Sequence, residues 1–237
     1  MTSQFAWLDL LLLGILPYVA FFIFFLVTIQ RYRAQTFTYS SLSSQLLENE
    51  QHFWALVPFH YGIIVVLTGH VVAWLLPHQV LAWNSRPLRL YVLEVSALAF
   101  GLLTLLGLVN LVARRLLASK VRVVTTAADW ALYALLLVQV TSGIWVAVFH
   151  PWGSSWFAAA MAPYLWSLVK LNPDLATVAA LPLAVKLHVV NAYLVIGFFP
   201  FTRLVHILVV PNPYLWRKPQ VVRWYRNRAR SAGQFSP

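Results

Sequence analysis

The sequence WALVPFHYGIIVVLTGHVVAWLL, residues 54–76, gives the clearest indication of the fold class. Its apolar run is long enough for a helix to cross the hydrocarbon core of a bilayer, roughly 30 Å thick. Pro77 follows directly and ends the helix. Two histidines, His60 and His70, lie inside the run, where ionisable side chains are costly and mark functional sites. The stretch therefore predicts a membrane-spanning helix that carries a site.

Four further apolar runs predict four more membrane-spanning helices. They cover approximately residues 5–29, 90–113, 127–149 and 182–210. The fourth span begins with the pattern T-x-x-D at Thr126 and Asp129, which is typical of a helix start. The first run lacks a basic start and a small-residue cleavage site, so we expect it to remain as a span rather than to act as a signal peptide.

The long connection 150–181 is predicted not to span. Its most apolar part, 157–169, is too short to cross a bilayer and contains Pro163. Its aromatic residues favour a helix on the membrane surface. We therefore predict an all-α integral membrane protein, a five-helix transmembrane bundle.

Composition agrees with this fold class and excludes several kinds of site. Of 237 residues, 61% are hydrophobic and 10% are charged, whereas soluble domains have about 25% charged residues. Cysteine is absent, which excludes disulfides, thiolate zinc sites and cysteine-held iron–sulfur clusters in this chain. The net charge of +11 lies at the ends of apolar runs, which indicates contact with a membrane surface and not with nucleic acid.

The distribution of Lys and Arg predicts the orientation. Thirteen of the 17 fall on one side of the predicted membrane: Arg31, Arg33, Arg114, Arg115, Lys120, Arg122, Arg203 and six in the tail. The other side has Arg86, Arg89, Lys170 and Lys186. Positive residues favour the cytoplasm, so we expect the N-terminus outside and the C-terminus in the cytoplasm of a prokaryotic cell.

This orientation divides the chain into a membrane domain, 1–213, and a basic cytoplasmic tail, 214–237. The tail, with its interleaved aromatic residues, is expected either to anchor to lipid head groups or to dock a cytoplasmic partner, and both are compatible. Residues 34–52 are expected to form a short amphipathic helix on the same side.

Four histidines fall in two spans and form two pairs by depth. His60 and His70 lie in the second span, and His188 and His206 lie in the fifth, which runs in the opposite direction. His60 and His206 are therefore expected toward the cytoplasm, and His70 and His188 toward the outer face. One imidazole from each of two antiparallel helices is an arrangement that holds a haem in a helix bundle.

The spacing of the histidines does not fit two straight helices. The rise is about 15 Å between His60 and His70 but about 27 Å between His188 and His206. Tilted helices, a kink at Pro200, or ligands that reach the haem from above and below would each reconcile these distances.

Haem is favoured over other metal sites on chemical grounds. Zinc and di-iron sites need anionic ligands, which the spans nearly lack, whereas haem brings four nitrogens and asks for axial imidazoles. Gly62 and Gly69 are expected to let a flat macrocycle approach. Three arginines are candidates to pair with haem propionates: Arg114, Arg115 and Arg203. Each is equally an ordinary positive flank of a span.

Several motifs together resemble the cytochrome b, or gamma, subunit of membrane-bound respiratory nitrate reductase. They are FHYGIIVVLTGH (59–70), RRLLASKVRVVTTAAD (114–129), KLHVV (186–190) and FPFTRLVHI (199–207). The resemblance covers nearly the whole chain and is weakest in 150–181. It implies two b haems, a distal one held by His70 and His188 and a proximal one held by His60 and His206.

The resemblance also implies a reaction and its partners. A membrane quinol would be oxidised beside the distal haem, and electrons would pass to an iron–sulfur beta subunit and a molybdenum-containing alpha subunit in the cytoplasm. The family's quinol site uses a lysine in the loop after the second span, and this sequence has none there. Gly69 and His70 match the rest of that site. Arg86 and Arg89 are the nearest basic residues, and Arg89 aligns better with the family's lysine. Glu94 is a possible proton acceptor or a carboxylate at the water interface.

The sequence leaves two alternatives open. A gamma-type cytochrome b can serve another quinone-linked oxidoreductase, for instance one linked to sulfur compounds or heterodisulfides. A haem-free anchor or transporter can use its histidines to relay protons.

Overall fold

A computed structural model describes residues 6–34 and 50–208 of the chain. Five of its helices are long and apolar enough to cross a membrane, which confirms the predicted number. We name them spans 1 to 5: Trp7–Ala34, Phe53–Leu75, Pro87–Leu117, Ala127–Phe149 and Leu183–Phe201. The predicted tail, 214–237, and most of the predicted amphipathic helix at 34–52 lie outside the described residues.

The spans pack in the order 2, 3, 4, 5, 1. The connections before span 3 and before span 5 lie at one end of the bundle, which we call the long-loop end. The opposite end, where the described chain stops at Leu208, is the tail end. Spans 2 and 5, which carry the histidines, are not among the closely packed pairs in the described part of the chain. A space is therefore left between them.

Spans 2 and 3 are held very close by glycines. A Cβ on Gly62 would lie 2.7 Å from the carbonyl oxygen of Phe100 and would also clash with Thr104. A Cβ on Gly107 would lie 2.7 Å from the Cα of Phe59. The expectation that Gly62 makes room for a cofactor is therefore wrong, because span 3 fills that space. A Cβ on Gly69 would meet no atom of another part of the chain within 4 Å, so this position borders open space.

The connection between spans 4 and 5 does not span, as predicted, but it buries its apolar residues against the bundle. It forms helices Gly153–Trp156 and Ala162–Val169, joined by a π-helical turn, Phe157–Met161. Tyr164 is fully buried and donates a hydrogen bond to the carbonyl of Leu13 in span 1 at 2.6 Å. This connection is thus part of the packed core at the long-loop end.

Span 5 ends earlier than position 210, where the sequence pattern placed its end. Its α-helix covers Leu183–Phe198 and tightens into a 3₁₀ turn, Phe199–Phe201. Pro200 lacks an N–H and its ring clashes with the preceding turn, which ends the α-helix here. Thr202 is extended, and a second 3₁₀ segment, Arg203–Ile207, follows. A break at Pro200 is thus the explanation, among the three considered, for the unequal histidine spacing.

Candidate functional site

The four span histidines meet in two pairs across the space between spans 2 and 5. The ring centroids of His60 and His206 lie 6.1 Å apart, which forms the tail-end pair. Those of His70 and His188 lie 6.5 Å apart, which forms the loop-end pair. The break at Thr202 brings His206 level with His60, although His206 lies 18 residues beyond His188. The pairing matches the one inferred from the directions of the spans.

Three of these rings are oriented by the backbone. The Nδ1 atoms of His60 and His70 lie 2.8 Å from the carbonyl oxygens of Leu56 and Val66. The Nδ1 atom of His206 lies 2.6 Å from the carbonyl of Arg203. A carbonyl only accepts, so Nδ1 is the donor in each case and Nε2 takes no part in these hydrogen bonds. A histidine that binds a metal usually donates a hydrogen bond from its other ring nitrogen, often to a backbone carbonyl.

The fourth ring, His188, is oriented by side chains of span 4. The Ser142 hydroxyl donates to the Gln139 carbonyl at 3.1 Å, so its oxygen accepts from His188 Nδ1 at 3.0 Å. The Gln139 amide nitrogen lies 3.3 and 3.2 Å from the two ring nitrogens of His188, and Asn191 Nδ2 donates to the Gln139 Oε1 at 2.8 Å. A Cβ on Gly143 would lie 2.9 Å from His188 Cε1. Span 4 thus forms a polar cradle for this ring.

The separation of the rings fits two imidazoles that share one iron. A metal–imidazole bond of about 2.0–2.1 Å puts ring centroids on opposite sides of one metal about 6 Å apart. Both pairs have this separation. Among the described residues, no group of three or more His, Cys, Asp or Glu could hold a metal ion. Each pair therefore suits a group that brings its remaining ligands, as haem does.

The three arginines that are candidate partners of the propionates lie at the tail end, where they pack against other parts of the chain. Arg203 donates through Nε to Asp129 Oδ1 at 2.7 Å, and through its terminal nitrogen to Oδ2 at 3.1 Å. Arg115 is 5% exposed and donates to the Tyr133 hydroxyl at 3.2 Å. Arg114 is buried as well. Their predicted role toward propionates stays a prediction.

Asp129 has a second role that sequence reasoning missed. The predicted capping box is present, since Thr126 N donates to Asp129 Oδ2 at 2.9 Å and Asp129 N donates to Thr126 Oγ1 at 3.2 Å. The same carboxylate holds Arg203, which belongs to the segment of His206. A carboxylate inside an apolar span is costly without a partner. The presence of Asp129 in the span was therefore the signal in the sequence that it pairs with a cation.

The predicted quinol residues separate into two places at the long-loop end. His70 faces His188 across the space between the spans, and its neighbour Gly69 is exposed. Arg89 folds over the ring of Trp83 and donates to the Ala82 carbonyl at 3.3 Å. Its described contacts thus lie in the connection just before span 3. Glu94 accepts from the backbone N–H of Ser154 at 2.9 Å and so fastens the long connection to span 3.

Comparison with known proteins gives the same family over nearly the whole chain. The family described as nitrate reductase gamma subunit matches residues 9–225. The nitrate reductase gamma chain of Bacillus subtilis is 33% identical over 227 residues, which cover 94% of this chain and 99% of that one. The respiratory nitrate reductase 1 gamma chain of Escherichia coli is 32% identical over 221 residues, which cover 91% of this chain and 97% of that one.

A more distant relative comes from an archaeon. One subunit of the dihydromethanophenazine:CoB–CoM heterodisulfide reductase of Methanosarcina thermophila is 27% identical over 143 residues, which cover 60% of this chain and 44% of that one. The likeness to the two gamma chains is higher and extends from end to end. The chain is a multi-pass membrane protein, and it belongs to the nitrate reductase gamma subunit family.

Proposed function

We propose that this chain is the dihaem cytochrome b subunit of a respiratory nitrate reductase, which oxidises membrane quinol and anchors the soluble subunits. His70 and His188 hold the distal haem b, and His60 and His206 hold the proximal one. The observation that carries the proposal is the presence of two imidazole pairs, 6.5 and 6.1 Å apart, at two depths of one bundle. When bound, each haem supplies a one-electron acceptor and donor inside the membrane.

The protein's own part is to hold these rings in one tautomer and in one place. Backbone carbonyls fix three of the rings, and Ser142 with Gln139 fixes His188. The buried Arg114 and Arg115, with Arg203, place positive charge at the tail end, where propionates are expected.

The excess of Lys and Arg at the tail end supports an inside location for that end. The quinol then binds at the outer, long-loop end near Gly69 and His70, with Arg89 as the nearest predicted cation, and its protons leave on that side. The tail-end surface and the tail, 214–237, dock an iron–sulfur beta subunit and a molybdenum-containing alpha subunit. The chain alone reduces no nitrate.

A gamma-type cytochrome b that serves another quinone-linked oxidoreductase is the second candidate. The likeness to a chain of a heterodisulfide reductase favours it, although that likeness covers only 60% of this chain. The membrane subunit would then resemble that of a nitrate reductase, and the soluble subunits that it serves would be different ones.

The test is to isolate the complex from its own host through a tag on this chain. We expect co-purified subunits with molybdenum and iron–sulfur clusters, and quinol-dependent nitrate reduction that is lost when His70 is replaced by Ala. A soluble partner of another class, with no nitrate reduction, would refute the nitrate assignment and favour the second candidate.

A further inference from the structure

Span 2 contains a proline inside its helix, close to the tail-end histidine pair. Pro58 lies within the helix Glu50–Leu75, two residues before His60. A proline has no N–H to donate, and its ring pushes against the carbonyl four residues earlier. That carbonyl belongs to Trp54, which therefore lacks its usual partner in the helix. A backbone carbonyl without a partner is costly in a bilayer, because no water is present to replace it.

Asn110 of span 3 donates a hydrogen bond to this carbonyl. Its side-chain Nδ2 lies 3.2 Å from the carbonyl oxygen of Trp54. A polar amide in an apolar span is itself costly, and such residues hydrogen-bond across to neighbouring helices. A neighbouring helix that satisfies a freed carbonyl is one way in which membrane helices tolerate proline. Asn110 thus replaces, with a side chain, the backbone hydrogen bond that Pro58 removes.

Close packing of span 3 holds the same turn of span 2. Gly107 precedes Asn110 by three residues, so both lie on one face of span 3. A Cβ on Gly107 would lie 2.7 Å from the Cα of Phe59, which means that the two backbones touch here. This approach brings the short Asn110 side chain within reach of the Trp54 carbonyl. Span 3 therefore holds the turn from Trp54 to His60 at two points.

The direction of this turn determines the direction of the His60 ring. The Leu56 carbonyl, which lies between Trp54 and Pro58 in the chain, is 2.8 Å from His60 Nδ1. A rotation of the turn moves this carbonyl, and the ring that donates to it follows. The His60 ring now faces the His206 ring at an interplanar angle of 66°. The angle between the two rings therefore depends on how the turn is held.

We infer that Asn110 is a positioning residue for the proximal haem, because through the Trp54 carbonyl it fixes the turn that orients His60. This inference rests on the proposed function. Hydrogen bonding behind an axial ligand is one of the means by which a protein sets the properties of a haem. His70 donates to the Val66 carbonyl in the same way, but no proline interrupts that turn. A change at Asn110 should therefore act on the proximal haem alone.

The test is a double-mutant cycle of Asn110→Leu and Pro58→Ala in the full chain. Asn110→Leu removes the donor, whereas Pro58→Ala restores a backbone N–H that can donate to the Trp54 carbonyl. The readouts are the electron paramagnetic resonance g values and the midpoint potential of each haem. The g values of a low-spin haem depend on the angle between its two axial imidazole planes. The chain with His206→Ala, which is expected to keep only the distal haem, identifies the two signals.

We expect Asn110→Leu to shift the g values and the potential of the proximal haem and to leave the distal haem unchanged. The double variant should return to the values of Pro58→Ala alone. Ser96→Ala is the matched control in span 3, because its hydroxyl donates to the Leu93 carbonyl within the same span. It should shift neither haem.

Unfolding titrations of the same variants give a readout that needs no haem. We expect Asn110→Leu to raise the equilibrium constant of unfolding at least about threefold when Pro58 is present, the usual worth of one hydrogen bond between membrane helices. In the Pro58→Ala background it should not raise this constant, since the carbonyl then has its partner in the helix.

Two results would overturn the inference. One is a proximal haem with unchanged g values and potential in Asn110→Leu. The other is a shift that persists in the double variant, because Asn110 would then act by a route other than the Trp54 carbonyl. A chain that contains no haem refutes the proposed function and with it the role toward haem, while the unfolding cycle still reports on the hydrogen bond itself.

Discussion

The ion pair between Asp129 and Arg203 leads to a specific prediction about the tail-end histidine pair. Asp129 is 4% exposed and holds Arg203 through two hydrogen bonds, at 2.7 and 3.1 Å. The carbonyl of Arg203 in turn orients His206 at 2.6 Å. Span 1 also contacts the start of the segment that carries His206, because Arg31 donates a hydrogen bond to the carbonyl of Pro200. Replacing Asp129 by Asn should therefore loosen the segment that carries His206.

The size of the effect follows from the burial of the two partners. Removing one partner of a fully buried ion pair costs about 3–5 kcal/mol. The Arg203 side chain is still 24% exposed, so solvent relieves part of this cost. We expect Asp129→Asn to lower the free energy of unfolding by about 2–3 kcal/mol. It should also lower the content of the proximal haem and leave the distal haem in place.

Thr126→Ala is the matched control. It removes only the cap on the same helix, which is worth about 1 kcal/mol, and leaves the ion pair intact. The assays are unfolding titrations in detergent, followed by helix content, and haem content per chain. If Asp129→Asn loses no more stability than Thr126→Ala and keeps both haems, the ion pair does not position His206.

Three further predictions concern the loop-end pair and the buried connection. Asn191→Leu frees the Gln139 amide that it now holds, so we expect the distal haem to titrate at a shifted potential in a redox titration while the proximal one does not move. Gly143→Val places a side chain where the His188 ring lies, so the distal haem should be lost and the proximal one retained, which pyridine-haemochrome stoichiometry measures. Burial raises the pKa of Tyr164 to about 12. The folded chain therefore loses stability as the pH rises from about 10, where an unfolded tyrosine ionises, to about 12. Tyr164→Phe should make this alkaline loss smaller in unfolding measurements, and an unchanged slope would contradict it.

The spans and the pairing of histidines could be predicted because they depend on local properties. Apolar run length gives the spans, and alternating direction places His60 with His206 and His70 with His188. The end of span 5 could be predicted only in part, because Pro200 indicates a break in the helix but not the path of the chain beyond it. The break after Pro200 is held by Arg31 and Asp129, which come from two other spans. No local pattern around Pro200 contains those contacts.

The error at Gly62 has a related cause. A glycine in a span indicates that something approaches closely, but not what approaches. Here it is the backbone of span 3 at Phe100, while the glycine that borders open space is Gly69. The connection 150–181 shows the same limit, because its aromatic residues suit both a membrane surface and a protein core. Tyr164 finds its hydrogen-bond partner in Leu13, more than 100 residues away.

The proposed function depends on two histidine pairs that each hold one b haem. The most direct measurement is the haem content per purified chain, from reduced-minus-oxidised and pyridine-haemochrome spectra, for wild type, His70→Ala, His206→Ala and the control His150→Ala. We expect two haems in the wild type and in the control, and one in each of the other two variants. A colourless wild type from haem-sufficient cells would contradict the cytochrome assignment and favour a membrane anchor or transporter that uses its histidines without haem.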